Sequence, residues 1–162
     1  MKTSSLELRS ICESWQINHA HVKQQRTTIK LLEPYTLLVK GYSSKHRKAL
    51  QRWLKQKAYR HLGNWMQALS EDFELDFQKI TVRGQRTRWG SCSEDKSINL
   101  NYKLLFLPAN LVEYVLLHEL CHTKFLDHSS RFWKLVESFD SNYKQHQKLL
   151  LKANQYLPRG FH

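Results

Sequence analysis

His118-Glu119-Leu120-Cys121-His122 reads H-E-x-x-H. On an α-helix, residues four apart lie one turn above each other on one face, so His118 and His122 can offer imidazole nitrogens to one metal ion. Glu119 stands beside that face. It cannot easily reach the metal, but it can take a proton from a water held there, which is the general-base position of zinc hydrolases. Pro108 suits the first turn of a helix running from about Ala109 to Lys124. Val112, Val115, Leu116 and Leu120 give that helix a wide apolar surface. A histidine pair on a helix packed into a core is hard to satisfy without a metal.

A catalytic zinc site usually has three protein ligands and one position open to water. His128, six residues past His122, is the leading third ligand, because a chain leaving the helix can curl back over that distance. The offset is that of the third histidine in H-E-x-x-H-x-x-G-x-x-H, the metzincin pattern. Phe125 stands at the glycine position, however, and both methionines, Met1 and Met66, lie upstream, so no Met-turn follows. Glu137 and Asp140 are the competing ligands. Asp127 reads as a partner that orients a ligating ring. His146 and Tyr143 could stabilise an oxyanion, although a core or surface role suits each better. Cys121 and Cys92 read as small buried residues rather than ligands.

Upstream, Gln78 to Arg83 has the composition of a strand, and Ile98-Asn99-Leu100-Asn101-Tyr102 alternates with period two as a half-buried strand does. The segment from Arg83 to Tyr102 is expected to form a hairpin whose edge pairs with extended substrate backbone, with Arg88 and Ser91 near the cleft. Further upstream, Leu8, Ile11 and Trp15 recur at helical spacing after Ser4-Ser5, which predicts a short helix over 6–17. His19 and His21 then fall in a polar connector, and Thr27 to Leu32 and Tyr35 to Lys40 read as two strands. A longer helix follows Ser43-Ser44, its apolar stripe running from Leu50 to Leu69. Downstream, Ser129 or Ser130 caps a helix carrying Phe132, Trp133, Val136 and Phe139, and a last amphipathic segment spans 142–156.

The chain has 162 residues, of which 41% are apolar and 12% aromatic, enough for one folded domain over 1–162. Its catalytic core is expected at about 80–140 and a basic, helix-containing part at about 1–79. No apolar run approaches the roughly 20 residues that span a bilayer, and the first residues lack the apolar stretch of a secretory signal. With three widely separated cysteines and no C-x-x-C pair, a reducing, cytoplasmic setting is expected. The net charge of +12 suits an anionic substrate or a polyanionic partner. Between Lys40 and Arg60 there are eight cations and no acid. Arg47, Lys48, Arg52 and Lys55 are the candidates there for binding nucleic acid or another anion.

Five ordered blocks complete the pattern. They are Arg88-Trp89-Gly90-Ser91-Cys92-Ser93, Ile98-Asn99-Leu100-Asn101, Leu107-Pro108, Glu113-Tyr114-Val115 ahead of the His118 motif, and His128-Ser129-Ser130-Arg131-Phe132-Trp133. Together, over about Ile80 to Val136, they resemble the YgjP-like metallopeptidase family, which is related to the SprT-like zinc proteases. The resemblance implies an α+β, zincin-like domain with a small antiparallel or mixed sheet packed on the metal-binding helix. It further implies zinc ligands His118, His122 and His128, Glu119 as catalytic acid and base, and a peptide or protein substrate. Two other functions fit the same residues. Metal-dependent hydrolysis of a nucleotide phosphoanhydride would use the surplus Lys and Arg. A nucleic-acid-binding protein with structural zinc is the third, but such sites usually close four positions and prefer cysteine.

Overall fold

The computed structural model covers residues 1–162. Two small sheets flank one long helix. The first sheet contains β1 (Lys2–Leu8), β2 (Glu13–His21), β3 (Thr28–Glu33) and β4 (Thr36–Gly41) in the order β1-β2-β4-β3. It is mixed, since β2 and β4 run parallel while β1–β2 and β3–β4 are antiparallel. Helix α1 (Ser43–Phe73) buries Leu50, Leu54, Leu62, Met66 and Leu69, and ends where Glu74 adopts a left-handed φ of 55°. The second sheet, β5 (Lys79–Arg83), β6 (Gly90–Cys92) and β7 (Ser97–Asn101), has β7 in the centre, parallel to β5 and antiparallel to β6.

A buried 3-10 turn, Tyr102–Phe106, leads from β7 into α2 (Ala109–His122). The chain then forms α3 (Ser130–Phe139) and α4 (Tyr143–Leu150), followed by a 3-10 turn over Ala153–Tyr156. One cluster of 33 buried apolar residues, from Leu6 to Phe161, joins these layers. α2 contributes Val112, Leu116, Leu120 and Cys121, all fully covered. This α+β architecture agrees with the class expected from sequence.

The N-terminal helix expected over 6–17 is absent. β1 and β2 pair there instead, with Leu6 opposite Trp15 and Leu8 opposite Glu13. Leu6, Leu8, Trp15 and Ile17 are buried at a period of two, and Ile11 is only half-buried in the 3-10 turn between the strands. Pairing with the distant β4 outweighed the local helical spacing. His19 and His21 consequently lie on β2 rather than in a connector. The expected hairpin is narrower, since only β6 and β7 form it and β5 joins in parallel. The last segment breaks into α4 and a 3-10 turn. Lys57, one of the eight cations between Lys40 and Arg60, is buried and pairs with Glu13 at 2.7 Å. No helix is long and apolar enough to cross a membrane.

Candidate metal centre and active site

The last two turns of α2 carry His118 and His122, and the loop into α3 returns His128 to them. Their Nε2 atoms form a triangle with sides of 3.2, 3.2 and 3.3 Å. Tetrahedral bonds of about 2.0–2.1 Å to one zinc ion would set their donors roughly 3.3–3.4 Å apart, so the three nitrogens match such an ion. His122 Nδ1 donates to the Phe125 carbonyl at 2.9 Å. Its proton is therefore on Nδ1, leaving Nε2 as a bare lone pair. His118 Nδ1 lies 3.4 Å from the Tyr114 hydroxyl. Burial, followed by the neighbouring His122 and His128, pushes His118 down to about 3. Burial also lowers His122, against the opposing Phe125 hydrogen bond. Protonation of His118 or His122 therefore does not relieve the crowding at neutral pH, whereas one cation would satisfy all three nitrogens.

Aromatic side chains of α3 hold these rings. Phe132 stacks on His122 at 4.3 Å between centroids, and Trp133 stacks on His128 at 5.7 Å. Tyr143 of α4 backs Trp133 at 5.4 Å. The competing carboxylates do not converge on the triangle: Asp140 accepts from His146 Nδ1 at 2.7 Å, and Glu137 is exposed. Asp127 accepts from the Ser129 amide instead of orienting a ring. Burial pushes the Cys121 thiol up to about 12, and burial with the nearby Glu119 and Asp95 charges raises Cys92 to about 11, so neither is a thiolate at neutral pH.

Glu119 is buried, and its Oε2 has no hydrogen-bond partner. Burial raises its carboxyl to about 8, while the Arg88 charge pulls the other way. Gly90 at the start of β6 makes room for it. A Cβ there would stand 3.0 Å from Glu119 Cγ and 3.2 Å from Oε1. Glu119 and His118 open onto a cleft of about 560 Å³, with Arg86, Arg88 and Lys103 on its wall. Ser91 does not line this cleft, and its Oγ accepts from Asn99 Nδ2 at 3.4 Å. Arg47, Lys48, Arg52 and Lys55 are exposed on α1; Lys55 and Arg86 line a smaller neighbouring cavity.

In the sequence, Tyr114 and Asn101 stand out only within the family blocks, with no role attached, and Lys103 lies outside those blocks. Tyr114 precedes His118 by one helical turn, and Lys103 is a lone cation in the apolar run Tyr102–Leu107; both are visible signals. Asn101 closes the Ile98-Asn99-Leu100-Asn101 block, where nothing marks what its side chain does. Its Nδ2 donates to the carbonyls of Gln85 (2.8 Å) and Arg88 (3.1 Å), which pins the loop beside the cleft.

A family model described as YgjP-like, metallopeptidase domain matches residues 7–153. The chain belongs to this YgjP-like metallopeptidase family. A similar solved structure is the crystal structure of the metallopeptidase zymogen of Pyrococcus abyssi abylysin, with a TM-score of 0.51 and 23% identity. That alignment covers 57% of this chain and 94% of abylysin, and it shows a shared fold. A search of the curated proteins finds none that matches. For this YgjP-like chain, membership makes the domain a metallopeptidase one, and the three convergent histidines are its possible metal site.

Proposed function

We propose that this YgjP-like chain is a zinc-dependent peptidase in which His118, His122 and His128 hold the ion and Glu119 carries the proton. The observation behind this reading is the 3.2–3.3 Å triangle of Nε2 atoms beside the unpartnered Glu119 Oε2. A bound zinc ion would supply a Lewis acid that acidifies water and polarises a carbonyl. Glu119 Oε2 accepts the proton of the attacking water and returns it to the leaving amide nitrogen. Burial suits this work, since a carboxyl near neutrality can both take and give a proton. Gly90 keeps Glu119 against β6, and the free edge of β6 is the strand on which an extended peptide would pair. An open three-histidine set argues against structural zinc. Three unpaired cysteines support a reducing, cytoplasmic setting.

Glu119→Gln tests this reading, with zinc content and peptide hydrolysis measured together. Zinc should remain at one ion per chain while hydrolysis falls by about 10³-fold. Unchanged hydrolysis would remove Glu119 from the mechanism. One observation favours a second reading, phosphoanhydride hydrolysis: Arg86, Arg88 and Lys103 share the cleft with Glu119. Metal-dependent hydrolysis of nucleoside triphosphates, without cleavage of any peptide, would establish it.

A further inference from the structure

Two lysines are buried, and they differ in how their charge is met. Lys57, 9% exposed, reaches Glu13 at 2.7 Å and lies over the rings of Trp15 and Trp53. Lys103 is 7% exposed, and its ammonium makes no ion pair and no hydrogen bond. It lines the cleft that holds His118 and Glu119. The stem of Lys103 is covered, while its ammonium keeps contact with solvent at the cleft wall and is free to meet a ligand there. Burial and the charge of Arg86 lower its pKa.

The surroundings of Lys103 are fixed. Its amide donates to Asn101 Oδ1 at 3.0 Å, and Asn101 Nδ2 pins the loop that presents Arg86 and Arg88. The Asn101 amide also donates to the Trp89 carbonyl at 2.9 Å. The same loop leaves the buried Gln85 Oε1 without a partner on the cleft wall. Glu119 supplies the only carboxylate side chain lining the cleft, and His162 lies on the same wall without an ion pair. Three cations thus face one space, and none of them makes an ion pair.

We propose that Lys103, with Arg86 and Arg88, forms an anion subsite that binds a carboxylate of the substrate peptide, from an acidic side chain or the peptide's own C-terminus. The proposal rests on the peptidase reading and adds the substrate class. A carboxylate would meet the unpaired ammonium with a charge-assisted hydrogen bond, while the exposed arginines reach it from the rim. Lys103 is then a specificity residue that touches substrate, separate from the proton transfer at Glu119.

The test uses zinc-loaded Glu119→Gln protein, so that peptides bind without being consumed. Its probes are fluorescent peptides of equal length carrying Asp and Glu or Asn and Gln, each with a free or amidated C-terminus. Anisotropy should show at least one carboxylate-bearing peptide binding about tenfold tighter than its neutral twin. Adding Lys103→Met should abolish the preference while leaving the neutral peptide's affinity and the zinc content unchanged. Lys103→Arg should retain much of it. Arg86→Gln, at an exposed position, should weaken it several-fold and serves if Lys103→Met does not fold. Equal binding of charged and neutral peptides, or a preference that survives Lys103→Met, overturns the proposal. Competition by tripolyphosphate with no preference for carboxylate peptides also overturns it and reassigns the cations to phosphate. If the preference is present but wild-type protein cuts none of these peptides, the peptidase reading fails while the subsite stands.

Discussion

Two groups of histidines come into contact in this molecule, and only one is completed by the protein itself. His19 and His46 stack at 5.4 Å, with their Nδ1 atoms 3.2 Å apart. Their outer nitrogens are engaged as well, His19 Nε2 by Ser4 Oγ at 2.8 Å and His46 Nε2 by the Gly41 carbonyl at 2.9 Å. One proton between the rings satisfies the pair. In the second group, three Nε2 atoms converge, and no distribution of protons satisfies every contact, because a neutral ring nitrogen is either donor or acceptor. Proximity of histidines is therefore a weak signal of a metal. Convergence of three on one point, with outer nitrogens held by Phe125 and Tyr114, is a strong one.

The sharpest way to break this distinction is to delete one ring from each group. Structural zinc sites bind with roughly 10–16 kcal/mol over their ligands, so losing one of three donors should cost about 10³-fold in affinity. His128→Ala is therefore expected to lose zinc under competition with a chelator, while His46→Ala keeps wild-type affinity. Equal zinc retention by the two variants would erase the difference between the groups. Phe132→Ala comes next, because it removes a fully buried ring stacked on His122. About 3 kcal/mol of stability should go, read from denaturant midpoints. A smaller effect is expected of Gly90→Ala. Its methyl would press on Glu119 Cγ and on the Asn99 carbonyl 3.2 Å away, lowering kcat about tenfold with zinc content unchanged. A fall in KM alone would show that Gly90 bears on binding and not on the position of Glu119.

The helix that carries the candidate metal site was legible because its information is local. Histidines one turn apart, a proline at the start and an apolar face all act within α2, and His128 follows six residues later. The α+β class could be read for the same reason in β3, β4 and α1. The N-terminal strands were not legible, since Leu8, Ile11 and Trp15 fit a helical period over a short window while the deciding partner, β4, lies far along the chain. Lys103 and Asn101 illustrate a second obstacle. Their importance comes from a loop folded back onto them, from Gln85 to Arg88, and no periodicity records that. Lys57 shows the same effect in reverse: counted among free cations, it is neutralised by Glu13, 44 residues earlier in the chain.

The smallest predicted effect probes the closed histidine pair through pH. Burial, then the charges of His46 and Lys2, lower the pKa of His19. Between this folded value and the unfolded one of about 6.5, the unfolded chain binds more protons than the folded one, so stability rises with pH there. Stability should be complete above about pH 6.5 and decline as pH falls through the folded value. Glu13 titrates lower. Burial would raise its carboxyl, but hydrogen bonds from Lys57 and Trp15 outweigh it and hold the group below the usual carboxylate value. Its contribution is lost as pH falls below the usual carboxylate value, whereas that of His19 begins to fall at about pH 6.5. Denaturant midpoints for wild type and His19→Gln, measured in zinc from pH 8 to 5, should converge as pH falls. Curves that stay parallel would mean that His19 accepts a proton in place, and that the pair is no more closed to protons than the surface around it.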